Sequence, residues 1–194
     1  ENVKKEVKED VILCETFEEL LATGIGAVVL TNFFHEHAEF AIRAMEAGVD
    51  VISDTTTAGT LGECLDIIEC VERTGRKYML AANCPKMVGP AELERVYKSG
   101  QLGDVLYAEA EYSHPTKDRA ESLMLAGTDT HWRRYLPGIY YNMHSLGVLI
   151  SATGLMPRRV MAMDVCTKST LESDQVYYNK SPGGIALYEM ENGA

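Results

Sequence analysis

Gly26-Ala27-Val28-Val29-Leu30-Thr31-Asn32-Phe33-Phe34-His35-Glu36-His37 is the stretch on which the fold turns. It begins as an apolar run of strand length and stops abruptly in polar residues. Residues 38–47 follow at once with apolar side chains at helical spacing, and Gly48 breaks them off. A second apolar run, Val49-Asp50-Val51-Ile52-Ser53, comes next. Strand, helix and strand at this spacing predict a parallel β-α-β crossover. In such sheets a ligand sits outside the carboxyl ends of the strands. That logic gathers Thr31, Asn32, His35 and His37 on one rim, with Ser53, Asp54, Thr55 and Thr56 beside them.

Outward from this unit the pattern continues. Residues 11–14 read as a short strand. Thr16 caps a helix that ends near Gly24, with Glu18 and Glu19 in its first turn. Residues 60–74 form a helix on the spacing of Leu61, Cys64, Leu65, Ile68 and Val71, stopped by Gly75. Residues 77–82 are the next strand, and Asn83 stands at its end. The character then changes. A helix at 90–99 starts on proline and ends at Gly100. Residues 105–114 alternate apolar and polar like a long half-exposed strand. Residues 115–130 read as loop, 141–153 as helix, and 157–165 and 185–190 as strands. The expected organisation is α/β: a partial Rossmann-like parallel sheet over residues 1–86, then an α+β sheet domain over 87–194.

Composition narrows the function. The 194 residues are 46% hydrophobic and 24% charged, as in ordinary globular chains, and the formal net charge is -11. Such acidity excludes a basic nucleic-acid face and disfavours anionic membrane. No apolar run approaches the ~20 residues of a membrane-spanning helix. The charged N-terminus does not read as a signal peptide. Five scattered cysteines without a C-x-x-C pair read as reduced thiols of a cytoplasmic protein, not as a zinc knot. His35-x-His37 without a nearby third ligand gives no metal site.

A dinucleotide-binding fold normally opens with a strand, a G-x-G-x-x-G turn and a helix, then an acid near the second strand's end. This sequence has no such turn, and Gly24-Ile25-Gly26 precedes a strand instead of following one. The motifs that remain are arranged in a familiar order. Asn32-Phe33 followed by His35-x-His37, then Ala47-Gly48-Val49-Asp50-Val51, resembles the corresponding strand-helix-strand of the glucose–fructose oxidoreductase/inositol dehydrogenase (Gfo/Idh/MocA) superfamily. Lys98-Ser99-Gly100-Gln101-Leu102-Gly103-Asp104-Val105 resembles its entry into the second domain. Trp132-Arg133 and Gly138-Ile139-Tyr140-Tyr141-Asn142-Met143-His144-Ser145-Leu146-Gly147 resemble its catalytic segment. Two positions depart from the family: Asp54-Thr55-Thr56 stands where an acid-Lys-Pro tripeptide is usual, and Tyr140 where an Asp is usual. Tyr141-x-x-His144 with Asn83-Cys84 is closer to a branch that includes NAD-dependent glycoside hydrolases.

The resemblance implies a nicotinamide-dependent enzyme, NAD or NADP, acting on a sugar or related polyol. It implies that the first strand, glycine turn, helix and ribose-binding acid are missing, so cofactor binding by this chain is expected to be weak or absent. His144 and Tyr141 are the catalytic candidates. An imidazole can move a proton on or off a hydroxyl, and residues three apart on a helix share a face. Thr31, Asn32, His35, His37, Asp54, Thr55 and Asn83 are the cofactor-site candidates, with capping and packing the other reading for both histidines. Lys86, which can stand in for the missing lysine charge, His114, Trp132 and Arg133 are the candidates for substrate contact. Two other functions remain open: a redox-assisted glycosidase, and a fold-retaining assembly protein without chemistry. A homo-oligomer through the second-domain sheet is expected in each case.

Overall fold

A computed structural model describes residues 11–113, 138–165 and 183–194. The chain divides into two compact units, Glu1–Leu80 and Ala81–Ala194.

In the first unit, α1 (Phe17–Ala22) precedes β1 (Ala27–Leu30), a 3₁₀ turn (Phe34–Glu36) and α2 (His37–Glu46). β2 (Asp50–Ser53), α3 (Leu61–Thr74) and β3 (Tyr78–Leu80) follow. The three strands are parallel and lie in the order β1-β2-β3. Right-handed crossovers put consecutive helices on one face of such a sheet. Val28, Leu30 and Val51 of that face pack with Ala38, Ala41, Ala44 and Met45 of α2 and Ile67 and Cys70 of α3. The small residues at 38, 41 and 44 let the helix axis approach the strands. On the opposite face Val29 and Met79 are exposed. α1 is fastened through Phe17, whose ring meets Phe40 edge-on at 4.8 Å. The Arg43 guanidinium lies 5.3 and 5.1 Å from these two ring centroids and pairs with Glu18.

The helix ends follow the sequence signals. The Thr60 hydroxyl accepts from Glu63 N, and the Glu63 carboxylate accepts from Thr60 N at 2.8 Å and Gly59 N at 2.9 Å. Gly75 closes α3 in the left-handed region at φ 66°, which glycine alone enters without steric cost. Thr60→Ala is therefore expected to lower stability by ~0.5–2 kcal/mol, readable as a shifted denaturant midpoint at unchanged slope.

The second unit holds a 3₁₀ turn (Cys84–Lys86), α4 (Val88–Lys98), a longer 3₁₀ segment (Gly138–His144) and α5 (Leu146–Thr153). The antiparallel strands β4 (Pro157–Val165) and β5 (Gly183–Met190) complete it. In the β4–β5 ribbon Met161 faces Leu187 and Met163 faces Ile185. These four side chains are exposed, Met161 at 73%. β5 runs close under the 3₁₀ segment: a Cβ on Gly184 would lie 2.8 Å from Ile139 Cδ1 and 3.1 Å from its Cβ. Gly184→Ala should push on that segment and cost ~1–3 kcal/mol as an overpacked site.

Several sequence expectations are corrected. Residues 11–14 and 105–113 are not strands. Alternation alone does not make a strand without a neighbour to share its ladder, and the Val105 carbonyl instead accepts from Asn192 Nδ2 at 3.0 Å. The helix expected at 141–153 is two pieces, a 3₁₀ segment and then α5. In the second unit Cys84 and Pro85 are buried, and Pro85 lies against α5 beside Gly147.

Candidate active site

Two groups of candidate residues are assembled, one in each unit. In the first, the ends of β1 and β2 run into loops that His37 joins. This ring sits at the start of α2, only 1% exposed. Its Nδ1 lies 2.7 Å from the Thr56 carbonyl and its Nε2 3.0 Å from the Asn32 carbonyl. A ring with protons on both nitrogens serves both carbonyls, and a ring with one proton serves one at a time. His37 thus points into the interior, tying one strand-end loop to the other. His35 is exposed, stacked on Phe33 at 6.0 Å and meeting the Phe34 edge at 5.8 Å. Thr31 and Asp54 are exposed, and Thr55 is half-buried with its amide donating to Asp54 Oδ1 at 2.8 Å. Asn32 Nδ2 donates to Glu36 at 3.2 Å. Its Oδ1 is buried without a hydrogen-bond partner among the described residues.

That orphaned acceptor, with the Thr31 and Thr55 hydroxyls and the Asp54 carboxylate, suits the ribose hydroxyls and carboxamide of a nicotinamide nucleotide. The backbone donors that a pyrophosphate needs are supplied in such folds by a glycine turn at a helix N-terminus. No such turn occurs in the sequence. The residues present therefore fit the nucleoside end of the cofactor and not its phosphates.

In the second unit the candidate residues gather around His144, 8% exposed, at the end of the 3₁₀ segment. A 3₁₀ helix has three residues per turn, so positions i and i+3 eclipse. Tyr141 accordingly lies directly over His144, ring centroids 5.7 Å apart and planes at 11°. Tyr112 packs against the same imidazole at 4.4 Å and against Tyr141 at 6.4 Å. Asn142 Nδ2 donates to the Tyr188 hydroxyl, which fastens the segment to β5. Ser145 Oγ donates to the Asn142 carbonyl at 2.9 Å. His144 Nδ1 lies 3.1 Å from Cys84 Sγ, and that thiol is itself buried.

Cys84 is the residue that sequence reading missed. Its scattered position groups it with the other thiols, although Asn83-Cys84 is among the motifs of the resemblance. Cys64 and Cys70 do behave as core thiols: burial pushes both above the ordinary thiol range, helped at Cys64 by the Glu63 carboxylate. Asn83 and Lys86 flank Cys84 on the same turn, both exposed. His114, Trp132 and Arg133 lie outside the described residues. Among the described residues no three His, Cys, Asp or Glu side chains cluster as metal ligands. No described helix is long and apolar enough to cross a membrane.

No family profile matches the chain. An α-N-acetylgalactosaminidase of Shewanella oneidensis is 27% identical over 135 residues, covering 68% of this chain and 29% of the relative. An inositol 2-dehydrogenase of Gluconacetobacter diazotrophicus is 27% identical over 135 residues, covering 67% of this chain and 40% of that protein. The chain thus spans well under half the length of these curated relatives. Among solved structures, scyllo-inositol dehydrogenase from Lactobacillus casei, with bound NAD(H) and scyllo-inositol, superposes with a TM-score of 0.70 at 16% identity. That alignment covers 92% of this chain and 52% of the neighbour. The last likeness is one of fold.

Proposed function

We propose that this member of the Gfo/Idh/MocA superfamily carries the strand-end rim and the proton-transfer residues of a nicotinamide-dependent oxidoreductase acting on a sugar or polyol. The observation that supports the reading best is the buried imidazole of His144, eclipsed by Tyr141 and backed by a thiol. An alcohol and its ketone interconvert only if a proton moves at oxygen, and a positioned imidazole or phenol moves it. A bound nicotinamide supplies the complementary hydride chemistry. NAD or NADP would be met by Thr31, Asn32, Asp54 and Thr55, with His35 and Asn83 as further contacts. His37 acts beneath the rim by holding its loops. Lys86, His114, Trp132 and Arg133 are the proposed substrate contacts, and the substrate is sugar-like.

Calorimetric titration with NAD and NADP, followed by NADH formation from myo-inositol, tests this reading. Weak binding with slow, inositol-dependent NADH formation is expected. Turnover by neither this assay nor the next would favour the non-catalytic reading.

A redox-assisted glycosidase is the second reading, favoured by Tyr141-x-x-His144 and by the galactosaminidase relative. It releases 4-nitrophenol from the α-N-acetylgalactosaminide without net NADH; one NADH per turnover excludes it. A homo-oligomer through the exposed Met161, Met163, Ile185 and Leu187 face is also proposed, and a monomer by light scattering would remove it. Free Cys14, Cys64, Cys70 and Cys84 support a reducing, cytoplasmic setting.

A further inference from the structure

His37 stands between two loops that the chain brings together at the carboxyl ends of β1 and β2. Its Nδ1 lies 2.7 Å from the Thr56 carbonyl and its Nε2 3.0 Å from the Asn32 carbonyl. Turning the ring over would put carbons at these two positions, and a C–H···O contact needs about 3.3–3.6 Å. Both nitrogens are therefore fixed against oxygens that can only accept. Among the described residues no other hydrogen bond reaches either carbonyl. The ring is 1% exposed and Thr56 9%, so bulk water does not replace a missing donor.

One proton on the ring satisfies one carbonyl and turns a lone pair towards the other at hydrogen-bond distance. Two protons satisfy both. The two charge states thus differ by one of the two bonds that join the loops. Burial and the N-terminal end of α2 oppose the charge, while two carbonyl dipoles favour it. The carboxylates on the elements around the ring are engaged elsewhere. Glu36 accepts from Asn32 Nδ2 and Phe33 N, Glu39 from Arg43, Asp54 from Thr55 N, and Glu63 from Gly59 N and Thr60 N. Burial raises Cys64 of α3 and Tyr78 of β3 above their ordinary ranges, which keeps both neutral. His35 is exposed and stacked on Phe33. Among the described residues, then, carbonyls and not a carboxylate meet the ring.

We propose that His37 is a pH-sensitive clamp: taking up its second proton ties the loops at 31–33 and 54–59 to one another, and losing it frees one of them. The proton comes from solvent, joins the ring's lone pair and returns to solvent, with no other bond made or broken. Acid therefore tightens the two loops and alkali loosens them. The clamp is a property of the first unit alone and stands apart from the reaction assigned to the molecule.

The test uses the full chain labelled with ¹³C and ¹⁵N, followed from about pH 5 to 8, where an imidazole ordinarily exchanges its proton. At the acid end both His37 ring nitrogens should be protonated. As the pH rises one should lose its proton, and the carbonyl ¹³C signal of Asn32 or Thr56 should move upfield in step. Amide protection in the freed loop, corrected for the intrinsic exchange rate, should fall by about fivefold, the worth of one hydrogen bond. His37→Gln, whose amide donates one bond and does not titrate, should abolish the carbonyl step, and His35→Gln should leave it. A ring that keeps one charge state throughout this range would overturn the proposal. So would a ring that titrates while both carbonyl signals stay still, or a carbonyl step that survives in His37→Gln. The wild-type titration decides the question by itself if His37→Gln does not fold.

Discussion

Exchanging His144 for glutamine is expected to lower turnover by about 10²–10⁴-fold, the range over which a positioned acid–base group contributes. Glutamine fills most of the imidazole's space and still offers an N–H, so substrate can be held but no proton can be moved. The loss should appear in kcat with KM little changed, the pattern of an interaction made in the transition state. The assay uses saturating NAD, with myo-inositol or the nitrophenyl galactosaminide as probe. Tyr141→Phe keeps the stacked ring at 5.7 Å and removes only the hydroxyl, so a smaller fall is expected. A His144→Gln protein within a factor of two of wild type would remove the enzymatic interpretation.

The second large effect is on folding. His37→Ala is expected to cost ~2–4 kcal/mol, of which ~1–3 is a buried carbonyl left without its donor. The remainder comes from the cavity left by a ring that is 1% exposed. Against a total stability of ~5–15 kcal/mol, that is enough to loosen the first unit. The Thr56 and Asn32 carbonyls lose a shared partner, so both strand-end loops should open first. Hydrogen exchange of the amides from 54 to 59 reads this directly, and denaturant unfolding gives the total. His37→Gln, which can still donate to one carbonyl, should recover part of the loss. A change below ~0.5 kcal/mol in His37→Ala, the level of an ordinary surface substitution, would show that the ring carries no such load.

The two predictions separate what the two histidine positions do. One histidine ties together the two loops at the strand ends, and the other is the proposed proton-transfer group. Their residue type is the same and their sequence context similar, each lying at the boundary of a turn and a helix. Only burial and partners distinguish them. Two backbone carbonyls flank His37, whereas a thiol and two aromatic rings surround His144.

Local order was legible from residues alone wherever the physical cause is itself local. The crossover around Val28 and Val51 and the α3 ends at Thr60 and Gly75 depend on neighbours within a few positions. The Tyr141–His144 stack also belongs here, since eclipsing in a 3₁₀ turn is a matter of spacing. Tertiary structure alone decided the rest. Residues 105–113 have the alternation of a strand and no ladder partner among the described residues. His37 turns inward because carbonyls from two separate loops converge on it. Cys84 became part of the site because the chain brings it across 60 residues to His144. Pairings of that kind depend on where distant segments pack, and no periodicity in the primary structure encodes that separation.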